Sequence, residues 1–128
     1  MKQLILVRHA NSPIQFIKLK DFDRPLSNLG ESDTKLIAEQ LLAKKIVIDN
    51  IISSGANRAF STSKIIAENI DFSVSSIKIN NDIYNSSVNQ MVDIIKNITD
   101  KYNTVMITGH NPTFHHLSQK LSNEKNTI

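Results

Sequence analysis

Four apolar runs divide the chain at intervals filled by residues of helical period. Residues 3–7 (QLILV) form a continuous apolar run of the kind expected in a strand buried on both faces. Residues 50–54 (NIISS) and 104–108 (TVMIT) read the same way, and a weaker run lies at 76–80 (SIKIN). Between them, Leu29, Leu36, Ile37 and Leu41 fall on one helical face, Phe60, Ser63, Ala67 and Ile70 on another, and Met91, Ile94, Ile95 and Ile98 on a third. A last short helix is expected with Asn111 as N-cap, Pro112 at its first position and Phe114, Leu117 and Leu121 facing inward. Strand and helix alternate along the whole chain, which predicts an α/β protein with a mostly parallel central sheet and helices on its faces. Residues 9–26 fit neither period, and a loop of that length in a small domain is usually functional or mobile.

Open parallel sheets bind ligands in the crevice outside the carboxyl ends of their strands, so what each run delivers there decides the chemistry. The first delivers Arg8 and His9; the second leads through SSGANR to Arg58; the last leads through Thr108 and Gly109 to His110. Any one of these is unremarkable as a turn or first-turn residue, but together they place two arginines and two histidines on one sheet edge. Arginine offers a planar fork of donors that matches phosphate oxygens, and a helix N-terminus adds backbone N–H groups. Histidine titrates near pH ~6.5 and serves either as a neutral nucleophile or as a proton-bearing donor. The group suits phosphoryl binding and transfer: two arginines hold the phosphate, one histidine attacks it and the other stabilises charge.

Composition narrows the picture further. With 128 residues and no shift in composition, residues 1–128 read as a single domain with one core. The absence of cysteine excludes disulfides and thiolate catalysis and fits a reducing compartment. The first apolar run is too short for a signal-peptide core or a membrane span, so a cytoplasmic protein without a membrane partner is expected. A net charge of +3 comes from scattered lysines with no basic stripe, which argues against nucleic acid. Neither a His-x-x-x-His motif nor a carboxylate cluster with ligand spacing is present, so no metal or other cofactor is implied. His115 and His116 point to different sides of a helix and read as surface residues or as residues just behind the site.

The segments LVRHA, SSGANRAFST and TGHNP, in this order, resemble the three signatures of the histidine phosphatase superfamily, with its phosphoglycerate-mutase-like fold. Ala10, DFDRPLSNLG (21–30), IYNSS (83–87) and GHNP (109–112) are most similar to the small SixA-type phosphohistidine phosphatases. The resemblance spans nearly the whole chain and implies a three-layer fold, helices on both sheet faces. It implies that His9 is the nucleophile that becomes phosphorylated, that Arg8, Arg58 and His110 clamp the phosphoryl group, and that Ser12 also touches phosphate. The implied activity is a metal-independent phosphatase in signal transduction, acting on phosphohistidine of a signalling or phosphotransfer protein, with phosphate or sulfate bound at the site.

Two departures from the family pattern shape the expectations. Many relatives carry a glutamate near IYNSS as proton donor, whereas Asn85 here cannot donate a proton, leaving Asp21, Asp23 and Asp82 as candidates. Loss of that acid harms an alkoxide leaving group far more than an imidazole, which favours phosphohistidine over phosphomonoesters. The fold is also expected to be C-terminally short, with an uncovered strand edge that invites a homodimer. Two other readings stay open: a broad small-molecule phosphomonoesterase, and a non-catalytic phosphate- or phosphoprotein-binding module.

Overall fold

The computed structural model describes residues 1–13 and 18–126. Its elements run β1 (Gln3–Arg8), α1 (Asn28–Ala43), β2 (Asn50–Ser53), α2 (Asn57–Asn69), β3 (Lys78–Ile79), α3 (Val88–Lys96), β4 (Thr104–Gly109) and α4 (Thr113–Asn126), with 3-10 turns at Asp21–Asp23, Val74–Ser76 and Asn81–Ile83. The strands pair in parallel in the order β1-β4-β2-β3. This is the α/β architecture that the alternating pattern predicts, and side chains alternate across it as strand geometry requires. Ile51 and Met106, with Val7 and Ile5, join Leu41, Ile66 and Ala67 of α1 and α2 on one face. On the other, Ile52, Val105 and Ile107, with Leu4 and Leu6, meet Met91 of α3 and Phe114 and Leu117 of α4. Among the described residues no helix is long and apolar enough to cross a membrane.

Several expectations need correcting. β1 packs into the cores on both faces, as expected, but as an edge strand it leaves Leu4, Ile5 and Leu6 only half-buried. The run at 76–80 yields only two strand residues, since Ser76 closes a 3-10 turn and Asn80 caps the next. The buried face of α1 is Gly30, Thr34, Ala38 and Leu41, while Leu29 and Leu36 are exposed. Small residues turn inward there because α1 packs against α2 and against the loop after β1, so closely that a Cβ on Gly30 would overlap the Asn11 carbonyl. The buried Thr34 hydroxyl is satisfied by the Gly30 carbonyl at 2.7 Å. In α2, Ala59, Thr62 and Ile66 join Ser63 and Ala67 inside, and Phe60 and Ile70 lie at the margin.

The remaining helices follow their sequence signals. Ser87 and Gln90 close a capping box at the start of α3, and Met91 is buried with Ile94, Ile95 and Ile98 packed around it. α4 opens at Thr113 rather than at Pro112, yet Asn111 still caps it, its Oδ1 accepting from the His115 N–H at 3.0 Å. Phe114 and Leu117 are buried as expected, and Leu121 packs beside them.

Candidate active site

The strand order brings three chain segments to one place. β1, β4 and β2 are adjacent, with Arg8 beside Gly109 and Ser53 beside Thr108. The ladder continues one residue beyond the strands: the His9 N–H donates to the Gly109 carbonyl and the Ser54 N–H to the Thr108 carbonyl, each at 3.0 Å. His9, His110 and Ser54 therefore leave the sheet side by side. A Cβ on Gly109 would run into the Phe114 ring, so glycine is what lets α4 close over this turn. The rings of His9 and His110 lie 5.2 Å apart, centroid to centroid.

Each histidine is oriented by its second nitrogen. His9 Nδ1 lies 2.8 Å from the Ala10 carbonyl, which can only accept, so Nδ1 carries the proton and Nε2 presents its lone pair. Burial, together with the charges of Arg58, Arg8 and Arg24, lowers the His9 pKa below its ordinary value against the raising effect of the Ala10 carbonyl, which keeps the ring neutral at neutral pH. His110 Nε2 lies 2.9 Å from the Ser54 hydroxyl, whose oxygen also accepts the Ala56 N–H at 3.2 Å. Burial first, then the Arg58 charge, pushes the His110 pKa down to about 4. Its Nδ1 is buried without a hydrogen-bond partner among the described residues.

Arg58 is the hub. It sits in the first turn of α2 with only 5% of its surface exposed. Its Nε donates to His9 Nε2 at 3.3 Å, while Nη1 and Nη2 donate to the Asp21 carbonyl at 2.6 Å and to Asp21 Oδ2 at 2.9 Å. Thr62, one turn on, donates to the Arg58 carbonyl at 2.8 Å and accepts the Ala10 N–H at 3.1 Å, fastening α2 to the loop that carries His9. Arg8 is exposed and its guanidinium makes no hydrogen bond or ion pair among the described residues; its charge is nonetheless close enough to act on His9.

The structure separates the other sequence candidates. Asp21 lies at the site, its Oδ2 accepting from Tyr84 at 2.5 Å as well as from Arg58, and its Oδ1 3.5 Å from Arg24. The Tyr84 hydrogen bond and the two arginines hold its carboxyl below the usual range despite partial burial, so Asp21 is an anion at neutral pH and poorly suited to donate a proton. The Asp23 backbone carbonyl accepts from Asn57 of α2, and Asp82 lines a groove of about 640 Å³ with Lys78 and Gln90; among the described residues neither carboxylate makes a hydrogen bond or ion pair with His9, Arg58 or His110. The Ser12 hydroxyl donates to the Pro25 carbonyl at 2.6 Å and so pins the loop. Asn85 adopts φ 57°, a left-handed turn conformation that asparagine tolerates. His115 and His116 are exposed.

Tyr84, Arg24, Ser54 and Thr62 escape the sequence reading. Ser54 and Tyr84 stand inside SSGANR and IYNSS, but nothing local says that their side chains reach His110 and Asp21. Arg24 stands in DFDRPL, and its 13% side-chain exposure marks it as part of the site wall. Tyr84 completes that wall, its ring edge-on to His110 at 5.4 Å and to Phe22 at 5.1 Å. No group of three or more His, Cys, Asp or Glu that could hold a metal ion occurs among the described residues.

Two histidines and a buried arginine gathered on the carboxyl edge of a parallel sheet have a counterpart among known proteins. Residues 4–91 match the model of the histidine phosphatase superfamily (branch 1), and the chain belongs to that superfamily. It is 25% identical to the crystal structure from Agrobacterium tumefaciens assigned as the phosphohistidine phosphatase SixA, with a TM-score of 0.84 over 94% of this chain and 77% of that one. A structure of the protein histidine phosphatase SixA complexed with tungstate has the same fold, at 21% identity and a TM-score of 0.83 over 93% of this chain and 76% of that one. An uncharacterized chloroplastic protein of Arabidopsis thaliana is 32% identical over 94% of this chain, which spans 59% of that relative's length.

Proposed function

We propose that this protein is a phosphatase that passes the phosphoryl group through a covalent intermediate on His9, and that its substrate is phosphohistidine on a signalling or phosphotransfer protein. The observation that carries the reading is the state of His9: neutral, tied through Nδ1–H to the Ala10 carbonyl, with Nε2 unprotonated and accepting from the Arg58 Nε–H at 3.3 Å, a contact that an incoming phosphoryl group replaces. In the first step the Nε2 lone pair attacks phosphorus, and the bond to the leaving group breaks with its electron pair departing on that group. The ring becomes cationic, and the Nδ1–H···O=C bond steadies it. Water then attacks phosphorus, the P–Nε2 bond breaks with its electron pair returning to the ring, and phosphate leaves with both water protons, restoring neutral His9.

Arg58, Arg8 and His110 surround the transferring group and supply positioning and charge stabilisation, which is most of what phosphoryl transfer asks of a protein. Ser12 serves as a loop anchor unless its hydroxyl turns from Pro25. That the SixA relative is found complexed with tungstate, a phosphate analogue, supports the binding of an oxyanion. The choice of phosphohistidine rests on the leaving group. Asp21 is held as an anion, the exposed Asp23 and Asp82 make no hydrogen bond or ion pair to His9, Arg58 or His110 among the described residues, and Asn85 is an exposed turn residue, so the leaving group must depart without a proton from these side chains. An imidazole that brings its own proton meets that condition, and an alkoxide does not.

The test is discharge of a phosphohistidine-bearing protein. Wild type should release phosphate and His9→Ala should not; equal release by both would overturn the mechanism. Turnover of sugar phosphates at matching rates would instead favour a broad phosphomonoesterase, and saturable phosphate binding with no turnover a binding module.

A further inference from the structure

The phosphoryl transfer outlined above leaves the Asp21 carboxylate without a task, although its neighbours are arranged with care. Oδ2 accepts from both Tyr84 and Arg58, which fixes the plane of the carboxylate. Oδ1 accepts no hydrogen bond among the described residues, Arg24 Nη2 lies 3.5 Å from it, and the side chain is 57% exposed. One oxygen thus holds the group in place and the other is left to accept from a ligand. Beside it, an aromatic wall runs from His110 through Tyr84 to Phe22 by two edge-on contacts. The carboxylate lies across the breadth of one guanidinium from the nucleophilic nitrogen of His9, since Arg58 contacts both.

We infer that Asp21, with the rings of Tyr84 and Phe22, forms the subsite for the leaving imidazole, and that it selects substrates whose leaving group is a protonated nitrogen ring. The inference rests on the phosphohistidine reading and gives that substrate its recognition element. Phosphohistidine carries phosphorus on one ring nitrogen. When the other nitrogen bears a proton, His9 Nε2 forms its bond to phosphorus, the old P–N pair returns to the ring, and neutral imidazole departs with its proton where it was. Without that proton the departing group is an imidazolide anion, which leaves poorly. Asp21 Oδ1 accepts the hydrogen bond from the far N–H, and its negative charge stabilises the protonated ring. A carboxylate kept ionised by Tyr84 and Arg58 is the right form for this task and the wrong form for a general acid. The aromatic wall supplies a flat apolar surface for the ring itself.

The experiment compares phosphohistidine with p-nitrophenyl phosphate, whose leaving group is stable as an anion and needs no partner for a ring N–H. Asp21→Asn keeps an oxygen for Arg58 and Tyr84 but removes the charge, and it should lower the phosphohistidine to p-nitrophenyl phosphate ratio of kcat/KM about tenfold or more. Asp21→Glu keeps the charge and should hold the ratio nearer to wild type, a rescue that a role in positioning Arg58 would not produce. An equal loss on both substrates, no loss on either, or the same ratio in both variants would overturn the inference while leaving His9 chemistry intact. Wild type that hydrolyses p-nitrophenyl phosphate through His9 yet leaves phosphohistidine untouched would overturn the substrate reading itself.

Discussion

Binding of a dianion should draw a proton onto His110. In the free protein burial and the Arg58 charge hold this ring at a pKa of about 4, so near pH 7 only about one molecule in a thousand carries the proton. An oxyanion in the crevice reverses the balance. One unit charge pair at about 4 Å contributes about 4 kcal/mol at an effective dielectric of about 20. Since each pKa unit corresponds to about 1.4 kcal/mol, one oxyanion charge offsets about three decades of proton affinity, and a dianion more. The sign follows: His110 has a raised pKa in the complex, so binding is strongest at low pH and weakens as pH rises through the raised value. Below about pH 4 the ring is protonated in both states and the dependence flattens. Calorimetry with sulfate, which stays a dianion throughout, in buffers of different ionisation enthalpy should report uptake approaching about one proton. His110→Gln should abolish most of that uptake. Sulfate affinity that does not fall with rising pH, or a binding enthalpy independent of buffer, would refute the reasoning.

Three further outcomes follow from individual contacts. Arg58→Lys retains charge but loses the planar fork that reaches His9 and Asp21 together, so phosphatase activity should fall about a hundredfold or more with the fold preserved by circular dichroism. Gly30→Ala places a methyl group against the Asn11 carbonyl and should cost about 1–3 kcal/mol in urea denaturation, since Asn11 is itself anchored by the Ser27 N–H at 2.9 Å. Ile107→Ala empties a fully buried position in β4 facing Met91 and Leu117, and should cost about 2–5 kcal/mol in the same assay without changing how His9 is oriented.

The parts of the site legible in the sequence are those that follow directly from a strand end. Arg8, His9 and His110 each sit within two residues of a long apolar run, and Arg58 opens the helix after another, so parallel pairing alone brings them to one edge. The parts that escaped depend on tertiary placement. Tyr84 and Arg24 come from turns whose course is set by contacts elsewhere, and a turn has no periodicity to reveal which side chain reaches inward. Asp21 is visible as a carboxylate but not as a fixed anion, because that state is created by Tyr84, sixty-three positions away. The face of α1 misleads for a related reason: leucines mark an apolar stripe, yet close approach to α2 and to Asn11 selects glycine, threonine and alanine for the inside. β3 shrinks to two residues because the flanking 3-10 turns take the rest of its run.

The covalent intermediate is the most direct point of test. Rapid mixing with a phosphohistidine-bearing protein labelled in the phosphoryl group, followed by quenching in base and peptide mapping, should find an acid-labile, base-stable label on His9 in the wild type and none in His9→Ala. Label on His110 or on a hydroxyl, or substrate turnover in which no protein-bound label ever forms, would contradict the assignment of His9 as the nucleophile.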